Sequence, residues 1–253
     1  MTTLLIDGDT FVYRYAAIAV EHVDWGNGLW VSFANEHKAT YLMEQGLEEI
    51  QASLQATQVQ VALSSPTCFR KEIDPTYKAN RKKREPLLLY KALRLAMERK
   101  FPVHIWTNLE ADDVLGILAT DPAQQDAIIV SIDKDLKQIP GKHFNPDHSE
   151  VGIQEVTSWQ GELAFYAQVL SGDPTDNYPG CPKIGPVTAA KILQGATTSE
   201  DCWWRVLKTY AKAGILDEAD VLRQARLARL LRHGELSAAQ GPTLWMPPTP
   251  RHF

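Results

Sequence analysis

Short apolar runs separated by longer amphipathic stretches set the pattern of this 253-residue chain. Runs of strand length occur at Leu4 to Ile6, Val59 to Leu63, Val103 to Trp106 and Ile128 to Ile132. Helical periodicity falls between them, from Ala39 to Leu54, from Pro86 to Arg99 and from Leu109 to Ala119. Pro86 suits a first helical position, and Leu87, Leu88, Tyr90, Leu93, Leu95 and Met97 supply apolar faces behind it. The alternation predicts an α/β fold, a parallel sheet with helices on both faces.

Beyond Asp147 the texture changes. Gly152 to Val156 has the length of one more strand, and from Trp159 onward the chain reads as helices broken by a Pro- and Gly-rich turn at Tyr178 to Pro186. A boundary near residue 157 follows, dividing a catalytic-type sheet domain at 1–157 from a helical subdomain at 158–253. The tail from Gly241 to Phe253 is Pro-rich and aperiodic, so it is expected to be extended. No internal repeat is present.

Composition narrows the class. With 44% hydrophobic residues the chain can bury a sizeable core, yet no stretch approaches the ~20 uninterrupted apolar residues of a membrane span. Met1 runs straight into Thr3-Leu4-Leu5-Ile6 without the basic start and apolar core of a secretory signal. A soluble, cytoplasmic protein is expected. Cys68, Cys181 and Cys202 lie far apart with no CxxC spacing, which argues against zinc and against a disulfide framework.

The net charge of -5 looks unsuited to a nucleic-acid partner until its distribution is considered. Between residues 70 and 84, Arg70, Lys71, Lys78, Arg81, Lys82, Lys83 and Arg84 stand against only Glu72 and Asp74, a phosphate-seeking patch. The excess of acid is concentrated elsewhere, in four short motifs. Asp7-Gly8-Asp9 follows the first strand, Glu110-Ala111-Asp112-Asp113 opens a helix after the third, and Asp133-Lys134-Asp135 follows the fourth. Asp173-Pro174-Thr175-Asp176 starts the helical part. In an open α/β sheet the strand ends form the ligand-binding edge.

Each motif alone has an ordinary explanation, since Asp and Glu favour first helical turns and Asp-rich turns are common. Their conjunction at one edge points to a metal site. Hard divalent ions take oxygen ligands, and two of them ~3.5 to 4 Å apart stabilise both the attacking and the leaving oxygen of a phosphodiester. If nine such carboxylates are neutralised by cations, the remainder of the chain is basic.

In this order the motifs resemble the flap endonuclease and 5′ to 3′ exonuclease family, in particular the phage enzymes and the nuclease domain of bacterial DNA polymerase I. The resemblance is carried by Leu5-Ile6-Asp7-Gly8-Asp9, by Phe69-Arg70-Lys71-Glu72 with Tyr77-Lys78-Ala79-Asn80-Arg81, by the second and third acidic motifs, and by Gly172-Asp173-Pro174-Thr175-Asp176-Asn177 leading into Pro179 to Gly185. It implies a PIN-like parallel sheet with a helix-three-turn-helix in the C-terminal part. It also implies DNA with 5′ ends, flaps or nicks as substrate, without sequence specificity, and two Mg²⁺ ions that Mn²⁺ can replace.

Carried onto this chain, Asp7, Glu110, Asp112 and Asp113 serve one ion, and Asp133, Asp135, Asp173 and Asp176 the other. Lys78 and Arg81 become catalytic candidates, and Arg70, Tyr77, Lys82 and Lys83 join them as DNA contacts. Gly180, Lys183, Gly185 and Lys191 form a turn that receives phosphate on backbone amides, with K⁺ as an additional ion there. The resemblance further implies a monomer in a phage or bacterial cytosol, with a replication polymerase as partner and no membrane.

One departure stands out. The family carries an aspartate just after the second strand, where Ser64 and Ser65 stand here. Were the first strand to continue past Asp7, Asp9 would share its face and fill that place. The missing aspartate keeps open a flap-binding protein with impaired chemistry. The Asp7-Gly8-Asp9-Thr10 start leaves an aspartyl-nucleophile phosphatase as a weaker reading, because Phe11 departs from that pattern and such an enzyme has no use for the basic element. The short Arg84 to Pro86 connection leaves little room for a long arch.

Overall fold

The computed structural model describes residues 1–81, 87–124 and 126–248. Its centre is a six-stranded sheet in the order β5-β4-β1-β6-β7-β8. Here β1 is Thr3–Asp7, β4 is Gln58–Ala62, β5 is Val103–His104, β6 is Ala127–Val130, β7 is Gly141–Phe144 and β8 is Gln154–Val156. All pairings are parallel except β7 with β8. Every residue of β1 is buried, as a central strand covered on both faces requires. Its register sets Leu5 between Gln60 and Ile129.

One face is covered by α1 (Gly8–Ile18), α2 (Glu36–Ser53) and α4 (Tyr90–Lys100), which enclose Leu4, Ile6, Phe11, Val12, Met43, Leu93 and Met97. The other carries α5 (Ala111–Ala119), whose Val114, Leu115 and Leu118 meet Leu5, Ile129 and Ile139. A second core, around Phe165, Tyr166, Val169, Trp203 and Tyr210, joins α6 (Ser158–Ser171), α7 (Pro186–Leu193), α8 (Ser199–Lys212) and α9 (Glu218–Ala228). The chain after α9 returns to the sheet domain, where Leu230 and Leu231 pack among the residues of α5.

Several expectations shift. The first strand stops at Asp7 and a helix starts at once, because Asp7 caps it by accepting from the Thr10 amide at 3.2 Å. Gly8 makes that sharp change possible, since a Cβ there would lie 2.5 Å from Val61 Cγ1 and 2.7 Å from the Ala62 carbonyl. The third and fourth strands end two residues sooner than the apolar runs do, and the helix expected from Pro86 begins at Tyr90, with Pro86 itself outside the described residues. A hairpin, β2 (Val20–Asp24) and β3 (Trp30–Ala34), intervenes between α1 and α2. Near the tail, β9 (Leu236–Ser237) pairs with β10 (Gly241–Pro242), and Trp245 packs at a steep angle against Phe165 and Trp203, both with ring centroids 5.1 Å away. Among the described residues no helix is long and apolar enough to cross a membrane.

Candidate active site

Three acidic motifs meet at the C-terminal edge of the parallel strands, where ligands bind in open α/β sheets. Asp7 ends β1, Asp133 lies just past β6, and Glu110 is the N-cap of α5. The fourth motif enters from the helical side on a tight loop closed by the Asp173 to Tyr178 bridge. That loop is held where Gly172 and Gly180, both at φ +65°, cross. A Cβ on Gly180 would stand 2.2 Å from the Gly172 nitrogen, so only glycine permits the approach. Between the two parts lies a cleft of about 220 Å³ lined by Lys78, Glu110, Asp112, Asp133, Asp135, Asp173 and Asp176, with Arg81 and Gln168 at its edge.

The cleft is electrostatically divided. On one side Lys78 binds Glu110 and lies 3.3 Å from Asp176, Arg81 reaches Asp176 at 2.5 Å, and the Tyr77 hydroxyl bonds both carboxylates at 3.0 and 2.8 Å. Burial alone would raise the Glu110 pKa, but Arg70 and Lys78 overcome it and hold the group at about 2. On the other side charge is poorly compensated. Burial, then Asp7, Asp133 and Glu110, push Asp112 well above the carboxylate range. Burial, with Asp133 and Asp173 adding to it, lifts Asp135 to about 6. Burial also raises Asp7, against hydrogen bonds from the Thr10 and Ser131 hydroxyls at 2.6 and 2.7 Å.

An all-oxygen set with surplus negative charge is the donor chemistry that hard divalent cations require. As they stand, no three such groups among the described residues converge on one point. Each is engaged locally. Asp133 accepts from the Asp135 amide at 2.8 Å, Asp135 from Gln168 at 2.8 Å, and Asp173 from the Thr175 amide at 2.7 Å. These are single bonds to carboxylates that keep free lone pairs.

Other expected site residues lie elsewhere. Asp113 is fully buried, both its oxygens taken by Arg70 at 2.6 and 2.8 Å and one also by the Leu231 amide at 3.2 Å, so in this structure it faces a cation of the chain rather than the cleft. Arg70, expected to face DNA, is 1% exposed and donates as well to the Leu227 and Arg229 carbonyls. Tyr77 is buried too, with its hydroxyl against Glu110 and Asp176. Asp9 sits in the first turn of α1 rather than on an extended β1. Its oxygens accept from the Ser64 amide at 2.9 Å and from Arg94 at 3.0 Å, which turns it from the cleft. The Gly180 amide is buried and donates to Gln224 at 3.1 Å rather than facing solvent. Gly185 does cap α7, with Lys183 and Lys191 exposed nearby. Lys82 and Lys83 lie outside the described residues. Thr10, Ser131 and Gln168 also hold carboxylates of the site, and of the three Ser131, two residues before Asp133 at a strand end, is the most recognisable from sequence.

Comparison with known proteins gives the family of the chain. The chain is 28% identical to the exodeoxyribonuclease of enterobacteria phage T3 over 96% of its length and 92% of that protein. To the exonuclease of Escherichia phage T7 it is 27% identical over 96% and 93%. DNA polymerase I of Bacillus caldotenax matches 78% of this chain at 31% identity, through 24% of its own length. Among solved structures, the T5 D15 protein co-crystallised with metal ions superposes with a TM-score of 0.66, covering 91% of this chain and 90% of the other at 16% identity. Residues 2–159 match the model of the 5′-3′ exonuclease N-terminal, resolvase-like domain, and the chain belongs to that 5′-3′ exonuclease family.

Proposed function

We propose that this 5′-3′ nuclease hydrolyses phosphodiesters of DNA at or near 5′ ends, flaps and nicks with two divalent ions. Asp7, Glu110 and Asp112 hold one of them, and Asp133, Asp135, Asp173 and Asp176 the other, Mg²⁺ being the natural choice for an all-oxygen set. The observation that carries the reading is the cluster around Asp112, a cleft-lining carboxylate pushed up by burial and by Asp7, Asp133 and Glu110 against Lys78. Bound ions would supply a nucleophile at neutral pH and neutralise charge on the reacting phosphate.

The chain's own groups do the rest. Lys78 sits at the cleft between Glu110 and Asp176, so its ammonium is free to turn to a phosphodiester when cations replace it. Arg81 is half-exposed at the rim beside Asp176 and meets the phosphate backbone there. The exposed Lys183 and Lys191, flanking the start of α7, add contacts to phosphates and read no bases.

Cleavage of 5′-flap, nicked and single-stranded DNA in Mg²⁺, Mn²⁺ or EDTA tests this. Cutting with either metal and none in EDTA is expected, and full activity in excess EDTA would end the proposal. Tight flap binding without cutting in either metal would instead identify a flap-binding protein, a reading favoured by Ser64 and Ser65 at the family's aspartate position and by the sequestration of Asp113.

A further inference from the structure

The chain holds Asp135 differently from the carboxylates across the cleft. Glu110 and Asp176 lie against Lys78, and Arg81 also reaches Asp176, so cations of the chain occupy them. Asp135 is held instead by a neutral amide, the Gln168 Nε2 of α6 at 2.8 Å, which positions the group and leaves its charge uncompensated. The same Nε2 donates to the Tyr178 hydroxyl at 2.8 Å. A glutamine amide has two chemically opposite ends, and the end that faces Asp135 matters. Nitrogen there donates to the carboxylate, whereas oxygen would set two acceptors in contact.

The direction of the Gln168 amide is decided outside the cleft. Gln138 ends the 3-10 turn Lys134–Gln138, which also carries Asp135, and is 1% exposed. Its Nε2 donates to the Ala228 carbonyl at 2.9 Å, and its Oε1 accepts from the Leu230 amide at 3.4 Å. A carbonyl only accepts and a backbone amide only donates, so these two partners give the Gln138 side chain one orientation. Its remaining N–H points to Gln168, which answers with Oε1 and keeps Nε2 for Asp135 and Tyr178. Arg232 anchors the turn from the same segment, donating to the Gln138 carbonyl at 2.9 Å. Packing alone would ask only for volume at position 138. Here the backbone at the end of α9 sets, through two glutamines, which atom faces a carboxylate of the cleft.

We propose that Gln138 is a positioning residue for the metal site: by fixing the direction of the Gln168 amide it keeps an N–H donor on Asp135 and readies that carboxylate for a divalent ion. This rests on reading Asp135 as a metal ligand, and it couples that site to the segment after α9.

The test is calorimetric titration of the full chain with Mg²⁺ alone, without DNA, with thermal melts in EDTA to confirm folding. Asp135→Asn identifies the binding event to which Asp135 contributes. Gln138→Met, of similar length but without a donor, should weaken that event about tenfold, the lower end of the effect of removing a group that orients a metal ligand. Gln168→Met should do the same, and the double variant should be no weaker than Gln168→Met, because the first glutamine acts only through the second. Gln138→Asn keeps an amide for the buried backbone groups but is one methylene too short to span to Gln168; it should lose Mg²⁺ affinity equally with a smaller fall in melting temperature. Unchanged Mg²⁺ affinity in both position 138 variants, whatever their melting temperatures, or losses that multiply in the double variant, would overturn the relay alone. Wild-type protein that binds no Mg²⁺, or binds it as tightly after Asp135→Asn, overturns the reading of Asp135 as a ligand and the relay with it.

Discussion

Replacing Arg70 by methionine separates two opposite readings of one residue. In the sequence Arg70 opens a basic run and looks like a phosphate contact. In the fold it is 1% exposed and ties α3 (Arg70–Ile73) to α5 and to the segment after α9. Its guanidinium makes a bidentate pair with Asp113, reaches Glu110 at 3.0 Å, and satisfies two carbonyls. Arg70→Met leaves the fully buried Asp113 without its cation, and breaking a buried pair from one side costs about 3 to 5 kcal/mol. For a chain of this size each kcal/mol moves the melting temperature by about 2 to 4 °C, so a fall of about 6 to 20 °C is expected in a thermal melt. Arg70→Met combined with Asp113→Leu should recover part of it, since an apolar pair of similar volume needs no counter-charge. DNA affinity of the folded variant, measured well below its transition, should keep its salt slope. A variant that melts within about 2 °C of wild type but loses one phosphate contact from that slope would refute the buried role.

Further outcomes follow from the same contacts. Asp9→Asn should lower the melting temperature at every metal concentration and leave the Mg²⁺ titration of cleavage unmoved, because Asp9 ties α1 to Ser64 and Arg94; a shifted titration would restore it as a ligand. Adding Mg²⁺ should raise the melting temperature, by about 2.7 kcal/mol in stability at a hundredfold excess over the dissociation constant. Asp112→Asn should melt higher than wild type in EDTA and lose most of that metal response, and an unchanged response would remove Asp112 from the site. Asp133→Asn with Asp135→Asn should abolish cutting and retain flap binding, whereas loss of both would mean that these groups hold DNA. Lys78→Ala should lower kcat on a flap substrate with little change in binding, and a pure binding loss would make Lys78 a phosphate anchor only.

What could be read from the sequence followed periodicity and position. The buried runs at Leu4 to Ile6 and Ile128 to Ile132 located the two central strands, and the acidic motifs after them fell on the ligand edge because strand ends in a parallel sheet share one edge. The hairpin at Val20 to Ala34 escaped notice because most of its residues, Trp25, Trp30 and Phe33 among them, are exposed and apolar on no consistent face. Proline preference alone marks a helix start at Pro86, and the helix itself begins after Leu89, which makes no side-chain cap bond to fix its first turn.

Within the site, which carboxylate faces the cleft was not legible, and the reason is physical. Glu110, Asp112 and Asp113 look alike as a row of acids, but the helix they open is apolar nearly all round, with Ala111, Val114, Leu115, Gly116, Ile117 and Leu118 buried. An acid on the inward side of such a helix needs a buried cation, and only the fold reveals that the cation is Arg70, 43 positions away in the chain. The basic run from Arg70 to Arg81 is therefore not one patch. Arg70 neutralises Asp113 in the core, Lys78 bridges the cleft, and Arg81 stands at the rim, so three cations close together in sequence act at three depths of one site. That gradation predicts a different signature for each on mutation: stability for Arg70, turnover for Lys78 and salt-dependent binding for Arg81. A sequence that spaced the same charges evenly over an exposed helix would give only the third.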